Sequence, residues 1–87
     1  MTFSLLYSNQ AVKDARKLKQ AGLKEKAEHL LGILSKKPFQ NPPPYEKLVG
    51  DFRGAFSRRI NIQHRLVYEV DKEKKVVRVL RMWTHYE

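Results

Sequence analysis

The chain has 87 residues, of which 41% are hydrophobic and 31% charged, and its formal net charge is +9. That length admits one domain with a thin core, since domains this short bury only roughly 60% of their unfolded surface. No run approaches the ~20 apolar residues that span a bilayer, no leader-type pattern opens the chain, and the lack of cysteine excludes disulfides, thiol catalysis and Cys-based zinc sites; a soluble, cytoplasmic protein is expected.

Phe3, Leu5 and Tyr7 alternate with Ser4 and Leu6, which predicts an opening strand over residues 3 to 7. Ser8 suits a helix cap. Ala11, Val12, Ala15 and Leu18 then recur at helical spacing until Gly22, which suits a left-handed stop. Leu23, Ala27, Leu30, Leu31 and Leu34 mark a second helix with Lys36 and Lys37 in its last turn, ended by Pro38. Phe39 to Pro44 cannot continue a helix or donate to a central sheet, so it reads as an extended connector.

Tyr45 to Val49 is expected to form a short strand, and Gly50-Asp51 with Arg53-Gly54 a turn. Phe56, Ile60 and Ile62 share one parity and Ser57, Arg59 and Asn61 the other, the period of a half-buried strand. After a turn near Asn61 to His64, Leu66, Tyr68 and Val70 alternate again. The polar run Asp71 to Lys75 separates them from a last strand, Val76 to Trp83. Strands clustered late and linked by short turns predict an α+β fold of order β-α-α-β-β-β, an antiparallel sheet with a two-helix hairpin on one face and the other face open to a ligand.

Eighteen Lys and Arg against nine Asp and Glu make a polyanion, above all nucleic acid, the leading partner. The basic residues do not line one face opposite a large apolar stripe, so a membrane surface fits less well. Glycines 22, 32, 50 and 54 match no phosphate-binding loop, and three dispersed histidines without a carboxylate cluster predict no metal and no cofactor. His29 beside Glu25 reads as a solvated helix face, His64 as a turn-shaping residue, and Trp83 as core before base platform.

Cutting RNA without a metal takes a base for the ribose 2′-OH, an acid for the departing 5′-oxygen and cations for the phosphoryl oxygens. Glu46 can be the base, His85 the acid, and Arg65 with Arg59 the clamp, because a guanidinium meets phosphate with paired donors. Arg59 and Arg65 share a parity opposite to Leu66 and Tyr68, which puts both on the face away from the helices. Tyr86 suits a base-stacking or proton-donating role as well as ordinary packing. Taken singly, Glu46 is an ordinary surface carboxylate, and composition leaves RNA binding with or without cleavage open.

Glu46 and Leu48, then Gly54, Ser57-Arg58-Arg59-Ile60, His64-Arg65-Leu66-Val67-Tyr68 and a closing His85-Tyr86 resemble the YoeB/Txe toxins of bacterial type II toxin–antitoxin systems, within the RelE superfamily. The resemblance implies a RelE-like domain over residues 1 to 87 that cleaves messenger RNA in the ribosomal A site and is held in check by a cognate antitoxin, as a homodimer or a hetero-oligomer. It also implies Glu46 as base, Arg65 as phosphate stabiliser, His85 as acid and Tyr86 at the site, with Arg59 where the family has a basic residue near the phosphate; Arg58 is a further candidate phosphate-binding cation from the basic composition. Many members carry a lysine where this chain has Val49, which leaves Lys47 or Arg53 to supply that charge. The competing readings are a non-catalytic RNA- or ribosome-binding module and a gyrase-directed toxin of the ParE type, which lacks this acid–base set.

Overall fold

A computed structural model describes residues 2–42, 44–50, 54–62 and 64–83. Strand β1 (Ser4–Tyr7) leads into helices α1 (Asn9–Gln20) and α2 (Lys24–Lys36), followed by strands β2 (Glu46–Lys47), β3 (Phe56–Arg59), β4 (Arg65–Asp71) and β5 (Val76–Arg81). Among the described residues, no helix is long and apolar enough to cross a membrane.

The helix ends follow from local chemistry. Ser8 has extended backbone angles and its Oγ accepts the Ala11 N–H at 3.0 Å, satisfying one of the donors a helix start leaves unpaired. At the other end Gly22 adopts φ +75°, the Leu23 N–H reaches the Leu18 carbonyl at 2.8 Å, and the Gly22 N–H reaches that of Lys19 at 3.2 Å. This doubly bonded left-handed stop turns the chain into α2 within a few residues. Ala11, Asp14 and Leu18 on α1, and Ala27, Leu30 and Leu34 on α2, form the buried stripes. They pack on Leu66, Tyr68, Val77 and Val79 of the sheet.

The five strands lie in the order β1-β5-β4-β3-β2. The α+β class and the helical hairpin agree with the sequence reading, and the short strand expected within Tyr45–Val49 forms at Glu46–Lys47 and pairs with β3, giving five strands where the order β-α-α-β-β-β counts four. Three pairings are antiparallel and the fourth, β1 with β5, is parallel. Tight turns dictate direction only for the strands they join. The helical hairpin and the connector separate β1 from the rest, so no turn fixes its sense.

Two expectations about faces are corrected. β3 ends at Arg59, so Ile62 sits at the tip of a turn and is 94% exposed instead of facing the core. The Ile60 and Asn61 N–H groups both donate to the His64 carbonyl, and the Asn61 side chain accepts the His64 N–H at 2.7 Å. The sheet face away from the helices is not uniformly open either: Ser57 and Val67 at its centre are buried, while Glu46 and Arg59 beside them are exposed.

Candidate functional site

Residues directly opposite one another in a sheet share a face. Glu46 lies opposite Ser57, Ser57 opposite Val67, and Arg59 opposite Arg65. Alternation along β3 and β4 then puts Glu46, Ser57, Arg59 and Arg65 on one face, opposite to Leu66 and Tyr68. There the Arg65 Nη1 donates to a Glu46 carboxylate oxygen at 3.0 Å and to the Ser57 Oγ at 3.2 Å. The Arg65 side chain is 16% exposed and that of Glu46 63%, so a half-sunk cation holds an accessible carboxylate.

Ser57 was not singled out as a site residue by sequence reasoning, although its parity with Arg59 and Arg65 was the available signal. Its hydroxyl gives the guanidinium a second acceptor and fixes its orientation on the sheet floor. Arg59 is exposed at the end of β3 opposite Arg65, so a second guanidinium-bearing residue shares the sheet face with the carboxylate.

Two expected phosphate-binding residues fall elsewhere. Arg58, next to Arg59, takes the opposite face and is only 1% exposed. Its Nε donates to the Tyr68 hydroxyl at 3.1 Å and its Nη2 to the carbonyls of Pro38 and Gln40 at 3.0 and 2.8 Å, while its charge lies 4.9 Å from the Tyr45 ring centre. Tyr45 and Tyr68, which touch this arginine, are linked with Phe39 and Phe56 by edge and tilted ring contacts. Arg58 therefore pins the connector that delivers the chain to Glu46, and is a structural arginine. Lys47 lies opposite Phe56 and so points to the face away from Glu46.

Burial pushes the Tyr68 phenol above its ordinary pKa, with the adjoining Arg58 charge and hydrogen bond pulling the other way. The Tyr68 hydroxyl donates in turn to the Pro38 carbonyl at 3.3 Å.

His85, Tyr86 and Arg53 lie outside the described residues. The chain leading to the first two is tied down by a residue not recognised from the sequence. Asp14 is fully buried and accepts the Met82 N–H at 3.0 Å and the Gln10 side-chain amide at 2.9 Å, with Arg81 Nε 3.6 Å away. The signal was its position, since Ala11, Asp14 and Leu18 share a helix stripe and a carboxylate on an apolar stripe calls for a buried partner. Ser8 adds two bonds, from its N–H to the Val79 carbonyl at 3.0 Å and from its Oγ to that of Leu80 at 2.7 Å. These contacts straddle the register shift where Tyr68 pairs with Val79 but Val67 with Arg81. His64 shapes its turn as expected, and its ring stacks on Trp83 with centres 3.7 Å apart. Trp83 is half-buried against the core. Among the described residues, no group of three or more His, Asp or Glu side chains is placed to hold a metal ion.

The fold and the acid–arginine pair invite comparison with known proteins. No curated protein matches the chain significantly. Among solved structures, a YoeB/ParE toxin from Agrobacterium tumefaciens superposes with a TM-score of 0.86 at 29% identity, covering 97% of this chain and all of that one. The YoeB-YefM complex from Staphylococcus aureus matches with a TM-score of 0.80 at 30% identity over 97% of this chain and 98% of that one. The RelBE2 toxin–antitoxin complex from Mycobacterium tuberculosis gives a TM-score of 0.74 at 28% identity over 99% of this chain and 100% of that one. The family model for the YoeB-like toxin of bacterial type II toxin-antitoxin systems matches residues 7–86, nearly the whole chain, and the protein belongs to that family.

Proposed function

We propose that this toxin is a ribosome-dependent endoribonuclease that inhibits translation by cutting messenger RNA in the ribosomal A site, without a metal, through the RNA 2′-OH. The observation that carries the proposal is the Glu46–Arg65 pair, a proton acceptor and a phosphate clamp 3.0 Å apart on one sheet face with Arg59 alongside.

In the free chain the Arg65 guanidinium is shared between Glu46 and Ser57. An arriving phosphate competes for those donors, and exchange of a carboxylate oxygen for a non-bridging phosphoryl oxygen releases Glu46 toward the neighbouring ribose. Glu46 takes the 2′-OH proton as that oxygen bonds to phosphorus. The bond from phosphorus to the 5′-oxygen breaks, and the leaving oxygen takes a proton from His85. Arg65, aided by Arg59, neutralises the charge that builds on the phosphoryl oxygens, and Tyr86 completes the site. The products are a 2′,3′-cyclic phosphate and a 5′-hydroxyl. Positioning by the ribosome supplies much of the rate, since holding the reacting atoms in line contributes on the order of 7–11 kcal/mol in favourable cases.

The partners of this reading are messenger RNA, the ribosomal A site and an antitoxin. The Staphylococcus aureus relatives occur as a YoeB dimer and as a heterotetramer with YefM, which supports homodimeric and antitoxin-bound forms here, in the cytoplasm. An acidic antitoxin segment would also offset the +9 charge.

The test is primer extension on a defined messenger in a purified translation reaction, with and without ribosomes, comparing wild type with Glu46→Gln and Arg65→Met. Cuts at ribosome-occupied codons from the wild type alone are expected. Equal translation arrest by all three proteins without cuts would instead identify a non-catalytic ribosome-binding module.

A further inference from the structure

A recess lies at the end of the sheet remote from Arg65. It is a cleft of 760 Å³ lined chiefly by Phe3, Lys36, Lys37, Phe39, Lys72 and Lys75. Its cations come from two separated segments, the C-terminal end of α2 and the β4–β5 turn. No Asp or Glu lines it among the described residues. The acids of the same turn line a neighbouring recess that shares only Lys72 with this cleft: Asp71, which accepts the Lys74 N–H at 3.1 Å, and Glu73 lie there with Glu69 and Arg78.

Four ammonium groups around one cleft repel each other unless an anion joins them. Two are nevertheless held in place: Lys72 Nζ sits 4.9 Å from the Phe39 ring centre and Lys75 Nζ 5.2 Å from that of Phe3. Such cation–π contacts restrict side chains that would otherwise sample many rotamers. Lys75 also has φ +56°, a left-handed backbone that glycine or asparagine adopts more readily, and its carbonyl is tied by the Ser4 N–H at 2.9 Å. The wall is equally fixed, because the carbonyls of Pro38 and Gln40 are gripped by the buried Arg58.

We propose that this cleft is a second RNA-binding site, which takes phosphates of the RNA backbone outside the cleaved codon. The proposal rests on the reading that the chain acts on RNA. Lysines act as point charges on phosphate, and ammonium groups already lie against the two rings, so the cleft reads charge and not base identity. The seven residues of β4 separate it from Arg65 by about 20 Å at the usual rise per residue. One phosphate cannot fill both places, so the two sites hold different stretches of RNA and add their affinities.

The experiment measures binding of a labelled RNA hairpin, and of a poly-glutamate peptide, to the full chain across a salt series. It compares the Glu46→Gln protein, which preserves the RNA, with the same protein carrying Lys36→Gln, Lys37→Gln, Lys72→Gln and Lys75→Gln. Each phosphate neutralised contributes about 0.7 to 0.9 to the slope of log affinity against log salt. Loss of all four contacts lowers that slope by about 3, and loss of the two ring-held lysines alone by about 1.5. In ribosome-dependent cleavage, the quadruple variant with Glu46 intact is expected to need at least about tenfold more ribosomes for half-maximal rate, with the saturated single-turnover rate unchanged.

An unchanged RNA slope overturns the proposal, as does a slope that changes for poly-glutamate but not for RNA, which would identify an acidic protein ligand. If the quadruple variant does not fold, the Lys36/Lys37 and Lys72/Lys75 pairs are replaced separately and the same criterion applies. An RNA slope that responds to the lysines in a protein whose wild type never cuts refutes the nuclease reading and leaves the second site standing.

Discussion

Replacing Asp14 by alanine removes a fully buried carboxylate that holds the Met82 N–H at 3.0 Å and stands 3.6 Å from Arg81 Nε. The stranded backbone donor costs about 1–3 kcal/mol. The Arg81 side chain is 38% exposed, so its lost pairing adds at most about 1 kcal/mol after solvent screening. Alanine's better helix propensity returns roughly 0.5 kcal/mol. The net loss is about 0.5–3.5 kcal/mol, centred near 2 kcal/mol, and 2 kcal/mol lowers Tm by roughly 8–16 °C in a domain of this size. Urea titrations followed by circular dichroism and by Trp83 fluorescence measure it, and Asp14→Asn, which keeps an acceptor for Met82, is expected to lose about half as much. Because Trp83 adjoins the anchored residue, its fluorescence should change in the native baseline of Asp14→Ala before the helices melt. An Asp14→Ala protein within about 0.5 kcal/mol of wild type would show that this carboxylate does not anchor the end of β5.

Adjacent arginines on opposite faces should respond in opposite ways. Arg58→Met is expected to cost about 2–4 kcal/mol, since it frees two loop carbonyls and the Tyr68 hydroxyl. Arg59→Met should stay within about 0.5 kcal/mol in stability yet weaken RNA binding, and urea titration with an RNA-binding assay separates the two. The raised pKa of Tyr68 keeps its phenol protonated in the fold after the unfolded chain has begun to ionise near its ordinary value of 10.0. Stability contributed by the neutral phenol is thus present below pH ~10 and falls as pH rises toward the folded value. Alkaline unfolding of wild type and Tyr68→Phe should show this added slope in the wild type only.

Periodicity exposed most of the fold because the helices and hairpin strands each bury one face. Ala11 to Leu18 and Leu23 to Leu34 read as helices from spacing alone, and Gly22 and Pro38 marked their ends. What spacing does not encode is where a strand stops. Ile62 continues the parity of Ile60, yet the Asn61–His64 bonds close the turn first. The sense of β1 was equally hidden, since it depends on the path of the helical hairpin. At the candidate site, parity correctly grouped Arg59 with Arg65 and separated them from the core.

The same parity, applied one residue earlier, put Arg58 in the interior, where composition argued for a surface cation. The long arginine side chain is tolerated there because carbonyls of the proline-rich connector and a phenol satisfy its donors. Asp14 was obscured for a related reason, in that its partners come from the far end of the chain and a helix pattern shows only that it lies on the wrong stripe. Both residues build the frame around the Glu46–Arg65 pair without belonging to it.

The most direct test of the account is the chemistry of the cut ends. In a purified translation reaction, messenger carrying a single 2′-deoxynucleotide at the cleaved position should resist the toxin, while the all-ribose messenger yields a 2′,3′-cyclic phosphate and a 5′-hydroxyl. Efficient cleavage of the deoxy-substituted messenger, or 3′-hydroxyl ends on the product, would contradict attack by the 2′-oxygen and with it the role assigned to Glu46.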